Sequence, residues 1–206
     1  RFHGVKKVDG ILGDFGVSSH QFDVADRGFS TRFDSNLDMR MDQNMNLSAY
    51  NVVNEYEEED LRRMFYQYGE LKNAPKLARA IISERKNKEI KTGNELKDVL
   101  SSFLPRHREN KVLAQIYQAI RIEVNNELEV INTLLEKTSK YLNKGGRLVC
   151  ISYHSLEDRL VKKFIQNGGF TNEISSDLYG NKNLNLIKIG KMITPSKKEI
   201  LINNRS

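Results

Sequence analysis

Two short segments hold most of the side chains able to do chemistry. In DGILGDFGVSSHQFD (9–23), Asp14 follows the apolar residues Val8, Ile11 and Leu12 and precedes a loop loosened by Gly16, Ser18 and Ser19. In RLVCISYHSLEDR (147–159), Ser152, Tyr153, His154, Ser155, Glu157, Asp158 and Arg159 follow a second apolar run. A carboxylate at the end of a strand can accept a hydrogen bond from a ligand hydroxyl or amine, or take up a proton. If the two runs are neighbouring strands, both clusters lie at one sheet edge, where open α/β sheets bind ligands. The plainer reading of Asp14 is a cap on the next turn. His154 is either a contact for a phosphate or a base, or a loop histidine held by Asp158 or Glu157. A hydrolase triad is excluded: Ser152, His154 and Asp158 are too close in sequence, and no G-x-S-x-G elbow is present. Four histidines without ligand spacing and the single Cys150 form no metal-binding pattern.

A second kind of chemistry is electrostatic. Thirty-three Lys and Arg against 27 Asp and Glu give a net charge of +6, which leans toward a nucleic-acid partner. Lys72, Lys76, Arg79, Arg85, Lys86, Lys88 and Lys91 surround one predicted helix and are candidates for phosphate contacts, or an ordinary solvated face. No apolar run is long enough to span a membrane, and one cysteine suits a reducing cytoplasm.

The elements that must position these residues alternate. A strand is predicted at 8–14, followed by a long non-periodic stretch over 20–46 whose mixture of Asp, Arg and Met argues for order. Residues 47–142 read as largely helical. Leu61, Met64, Phe65 and Tyr68 recur at helical spacing, as do Leu96, Val99, Leu100 and Phe103, and Leu77 with Ile81. Glu57–Asp60 suit a helix start. Ser48 and Asn126 (with Glu129) read as caps, and Gly145 and Gly146 as a helix end. A buried-type strand at 147–153 and a helix through Leu160, Val161, Phe164 and Ile165 follow. A polar loop at 168–184, a short strand near Leu186–Ile189 and a polar tail complete the chain. The pattern is an α/β domain interrupted by a helical block. The chain opens at Arg1, almost directly into a strand, and is expected to be a piece of a longer protein.

The segments DGILGDFGVSSHQFD (9–23), RGFS (27–30), LDMRMD (37–42), QAIRIEVNNELE (118–129) and GGRLVCISYHSLEDRLVK (145–162) together resemble the RsmH (MraW) family of S-adenosylmethionine-dependent ribosomal RNA methyltransferases. They run in the family's order and cover most of the chain. The resemblance implies a Rossmann-like class I methyltransferase sheet with an inserted all-helical domain. The first strands, with the glycine-rich cofactor loop and the ribose-binding acid, would lie before Arg1, and the final strand after Ser206. Residues 1–46 and 143–206 would form the methyltransferase part and 47–142 the RNA-recognition insert, its last helix packing back on the sheet. The implied activity is methylation of the exocyclic N4 of a cytosine in the 16S rRNA of the small subunit, by a cytoplasmic monomer or homodimer. In the family, the residues matching Asp14 and Gln21 bind the cofactor. Asp14 and His154 are the catalytic candidates, and Arg79, Arg85, Arg121 and Asn125 the RNA-binding ones. Phe15 either stacks on a base or belongs to the core. The rival reading is a non-catalytic RNA-binding fragment with an incomplete cofactor site.

Overall fold

A computed structural model describes residues 4–170, 184 and 186–203. Strand β1 (Val8–Asp14) pairs in parallel with β2 (Leu142–Ile151), in register from Gly10 opposite Arg147 to Asp14 opposite Ile151. Both strands therefore end at the same edge, with Asp14 beside the chain that leads into Tyr153 and His154.

The glycines expected to end a helix do something else. Helix α7 (Glu127–Tyr141) stops at an extended Leu142. Gly145 and Gly146 then lie inside β2, where the register shifts and β2 carries three more residues than β1. Gly145 has φ of 82°, which suits glycine at such a bulge. The strands are also less buried than their apolar runs predict. Gly13 and Phe15 turn toward α7, where a Cβ on Gly13 would meet Leu134 at 3.3 Å. Leu12, Val149 and Ile151 on the other face are exposed. With β1 and β2 the only strands among the described residues, one face alone is covered.

The main core sits in the helical block: α2 (Ala49–Glu55), α3 (Glu58–Gln67), α4 (Ala74–Arg85), α5 (Gly93–Leu100) and α6 (Glu109–Asn125). The helical stripes are its contents: Leu61, Met64, Phe65, Leu77, Ile81, Leu96 and Leu100 are fully buried. Each such side chain contributes roughly 1.5–3 kcal/mol by leaving water. Capping boxes Ser48–Asn51 and Thr92–Glu95 start α2 and α5, and acids occupy the first turn of α3.

The 20–46 stretch contains a helix, α1 (Ser19–Asp23), and a 3₁₀ turn at Ala25–Arg27, and its irregular remainder is anchored in the core by Phe29, Leu37 and Met39. Asn126 is not a side-chain cap. It takes a left-handed conformation (φ 50°, ψ 38°) and joins α6 directly to α7. Residues 186–189 form no strand, and the expected tail carries α9 (Lys197–Ile202), started by a Ser196–Glu199 capping box. Most of the predicted 168–184 loop lies outside the described residues.

The chain divides into two compact units, residues 1–160 and 161–206. The first holds the sheet, the helical block and the opening of α8 (Ser155–Asn167). The second contains the rest of α8, where Phe164 and Phe170 pack at 5.2 Å between centroids, and α9 with exposed Leu201 and Ile202.

Candidate active site

The carboxyl ends of β1 and β2 bring together residues far apart in the chain. The Tyr153 hydroxyl donates to Asp14 Oδ1 at 3.1 Å, and the Phe15 amide to the Ile151 carbonyl at 3.1 Å. Asp14 is exposed, while Phe15 is buried and so belongs to the core. Behind this edge, α8 begins on a tight turn. The wholly buried Glu157 accepts the amide of Tyr153 at 2.7 Å and that of His154 at 3.4 Å through Oε2. A carboxylate at this point satisfies amides that the first turn of a helix leaves without partners.

The other oxygen of Glu157 lies 3.3 Å from His154 Nε2, so Glu157 is the acid that neighbours the histidine. Both ring nitrogens of His154 are shielded from solvent and make no hydrogen bond, and neither does Glu157 Oε1. Burial lowers the imidazole to about 4, helped by the Arg121 charge. Burial also raises the Glu157 carboxyl, against the pull of its two backbone donors. In this arrangement the imidazole is neutral at pH 7 and covered.

Two further residues complete the cluster. Arg121, near the end of α6, donates through Nε and Nη2 to the two oxygens of Glu127 at 2.8 and 3.2 Å. Burial raises the Glu127 carboxyl, and the guanidinium opposes the rise. Gly16 (φ 80°) lies over the cluster, where a Cβ would meet Glu157 Oε1 at 3.6 Å and Arg121 Nη2 at 3.8 Å. Glu127, His154 and Glu157 each bring a donor atom within 4.8 Å of the others, the atom types of a divalent-ion site. Both Glu127 oxygens are already engaged by Arg121. At the rim, Glu70 accepts from Ser155 at 2.9 Å and from Arg159 at 2.5 Å, tying the α3–α4 connection to α8.

The other candidates lie elsewhere. Gln21 spends its side-chain oxygen on Ser18, in the capping box of α1. Asn125 is buried and donates to the carbonyls of Met39 and Arg121, both at 2.8 Å, while accepting the Met41 amide at 2.7 Å. Arg27 donates to the carbonyls of Arg40 and Met41 from the other side. The RGFS and LDMRMD strings thus build one scaffold, holding Met39 fully buried at a positive φ of 58°. Arg121 and Asn125, expected to touch RNA, are both engaged within the chain. Arg85 donates to the Val53 carbonyl at 3.1 Å. Arg79 is exposed and pairs with Glu58 at 3.3 Å. It shares the outer face of α4 with Lys76, and Lys86 follows two turns later just past the helix end, opposite the buried Ala74, Leu77, Ala78 and Ile81.

Sequence reasoning missed the Arg121–Glu127–His154–Glu157 cluster as a unit. The available signal was the pair of acids in the first turns of α7 and α8, each inside a matched string.

The profile of the MraW methylase family matches residues 1–206. The chain is 62% identical over 206 residues to the ribosomal RNA small subunit methyltransferase H of Flavobacterium johnsoniae, covering 100% of this chain and 68% of that protein. It is 61% identical to the protein of that name from Christiangramia forsetii (100% and 68% covered). With that from Cytophaga hutchinsonii the identity is 51% (100% and 69% covered).

Proposed function

The chain belongs to the MraW methylase family, and from that premise we propose that it methylates the exocyclic N4 of a cytosine in the 16S RNA of the small ribosomal subunit, using S-adenosylmethionine. The observation that carries this reading is the exposed Asp14 carboxylate at the paired ends of two parallel strands, with one oxygen held by Tyr153 and the other without a partner among the described residues.

Asp14 suits the cofactor chemically: a free carboxylate oxygen accepts from hydroxyl or ammonium groups. Gln21 keeps its amide donors available after its oxygen has closed the capping box. These two residues would hold S-adenosylmethionine, which supplies an already activated methyl group when bound. The task left to the chain is positioning. The N4 amine of cytosine is a poor nucleophile because its lone pair is delocalised into the ring. An acceptor on its N–H favours the reactive form and can take the departing proton, and Asp14 is the candidate. His154 would reach a base or phosphate only after the Tyr153–Ser155 turn opens. In the arrangement described, it is a neutral support beneath the edge.

In this reading, residues 1–46 and 143–206 carry the methyltransferase part, of Rossmann-like class I type, and 47–142 the insert that grips RNA. Lys76, Arg79 and Lys86 on the outer face of α4 are its phosphate contacts, and the target base is turned out of the RNA to meet the methyl group. The reading implies a cytoplasmic protein acting on the small subunit or its RNA.

The test is transfer of labelled methyl from S-adenosylmethionine to small-subunit RNA by the intact protein, alongside cofactor affinity in Asp14→Ala. Transfer to cytosine, with weakened cofactor binding in the variant, supports the reading. Unchanged affinity in Asp14→Ala removes Asp14 from the cofactor site. RNA binding without cofactor binding or transfer selects the non-catalytic alternative.

A further inference from the structure

Among the described residues Asp14 has one side-chain hydrogen bond, and it comes from beyond the other strand's end. We propose that Tyr153 is a positioning residue for Asp14: its hydroxyl holds Oδ1 and so fixes the direction in which Oδ2 meets a ligand. This rests on the reading that Asp14 contacts S-adenosylmethionine and deepens it by naming what orients the carboxylate.

The reasoning starts from the carboxylate. The terminal torsion of an aspartate is broad, so an exposed Asp14 with no partner would sample many orientations and lose that freedom on binding. The 3.1 Å bond from Tyr153 removes much of it beforehand. The donor is a neutral hydroxyl, so the contact brings no compensating charge beside the carboxylate.

Tyr153 can do this because it is itself held. It lies two residues beyond β2, where the chain has left the sheet ladder. Its amide is fixed at 2.7 Å by Glu157, a side chain with no exposure. With its backbone amide held, two side-chain torsions decide where the hydroxyl lies, and the bond to Asp14 keeps them in the rotamer described. Burial and the Asp14 contact both raise the phenol above its ordinary value, so the hydroxyl remains a donor at neutral pH. The sequence of constraints runs from buried Glu157, through the Tyr153 backbone, to the exposed Asp14.

The variant Tyr153→Phe removes the hydroxyl and keeps the ring. The residue is 58% exposed, so the fold tolerates the change. The experiment is calorimetric titration of the intact protein with S-adenosylmethionine, for wild type, Tyr153→Phe, Asp14→Ala and the double variant. The expected result is a roughly three- to tenfold weaker affinity for Tyr153→Phe, as for one more side chain that must be ordered on binding. Asp14→Ala weakens binding further, and adding Tyr153→Phe to it changes nothing, because Tyr153 then has nothing to orient. Wild-type affinity in Tyr153→Phe overturns the inference. So does a loss that persists in full in the Asp14→Ala background, since Tyr153 would then act elsewhere. If the wild type binds no S-adenosylmethionine, the cofactor reading of Asp14 fails, and this inference with it.

Discussion

Arg121 grips both carboxylate oxygens of Glu127, at 2.8 and 3.2 Å, across the junction of two helices. The left-handed Asn126 makes this geometry, turning α6 into α7 with no loop between them. The guanidinium is 13% exposed and the carboxylate 6%, so the pair is largely desolvated. Removing one partner leaves the other charge buried alone. Glu127→Ala is therefore expected to destabilise the protein by about 3–5 kcal/mol. Replacing both residues by leucine should cost much less. Urea denaturation of the three proteins checks this, and equal losses would show that the pairing is not the source.

Asn125, at the end of α6, lashes the LDMRMD loop to that helix through two hydrogen bonds, to the Met39 carbonyl and from the Met41 amide. Asn125→Ala leaves the Met39 carbonyl and the Met41 amide without this partner, at about 1–3 kcal/mol for each buried group left unsatisfied. The positive φ of Met39 then loses its restraint. Limited proteolysis should cut within 39–46 much faster in the variant than in wild type.

The covered histidine has a pH signature. Its folded value of about 4 lies below the ordinary 6.5, so between these limits the unfolded chain binds more protons. This contribution to stability is complete above about pH 6.5 and is lost as pH falls toward 4, by on the order of 1–3 kcal/mol. The charges facing the ring are Arg121 from α6, Arg159 from α8, Glu70 from the α3–α4 connection, and Glu157 beside it. Glu157, raised by burial, works the other way: its contribution falls as pH rises above the ordinary carboxylate value of 4.5. Comparing His154→Gln with wild type isolates the histidine. The variant's stability should rise less steeply between pH 4 and 6.5 in urea melts at stepped pH.

Two arginines of α4 should separate cleanly. Arg79→Glu alters an exposed side chain whose partner, Glu58, is itself half in water. It should weaken RNA binding and lower the salt slope by roughly one unit while leaving the melting temperature in place. Arg85→Glu removes a donor from the Val53 carbonyl and should lower the melting temperature instead. Filter binding over a salt series, with thermal melts of the same samples, distinguishes them.

Gly28 is the tightest backbone position of the RGFS segment. It has φ of 71°, and a Cβ there would stand 2.5 Å from the Asn36 carbonyl oxygen. Gly28→Ala pays both strain and overlap with main chain, and a loss of several kcal/mol is expected. Thermal melting of that variant is the check, and a near-native midpoint would mean that the 36–38 backbone yields.

The helices were legible because their periodicity reports burial directly: Leu61, Met64 and Phe65 read as a stripe and form one. The strand pair at 8–14 and 147–151 was legible from its apolar runs, although Leu12, Val149 and Ile151 are exposed. What misled was chemistry with two uses. Gly145 and Gly146 serve a helix end or a bulge equally well. Asn126 serves as a cap by its side chain or as a joint by its tolerance of positive φ. Asn125 and Arg121 carry the polar groups of an RNA contact, and within the chain they bond the backbone carbonyls of Met39 and Arg121 and the carboxylate of Glu127, partners that no spacing announces. Only three-dimensional neighbours decide such cases. The Tyr153–Asp14 bond spans 139 residues, and no local spacing announces it.

The pairing of β1 with β2 also sets an order of events during synthesis. Strand β1 is made first of the two, and Ile151, the partner of Asp14, follows more than one hundred residues later. At 5–20 residues per second, that delay is on the order of ten seconds. The helical block between the strands is built mostly from short-range contacts and assembles far faster than that. It also draws Phe29, Leu37 and Met39 into its core, shortening the span left for the sheet to close. The newborn chain thus holds β1 without its β2 partner beside a finished helical hub, and that edge of β1 stays open until β2 is made.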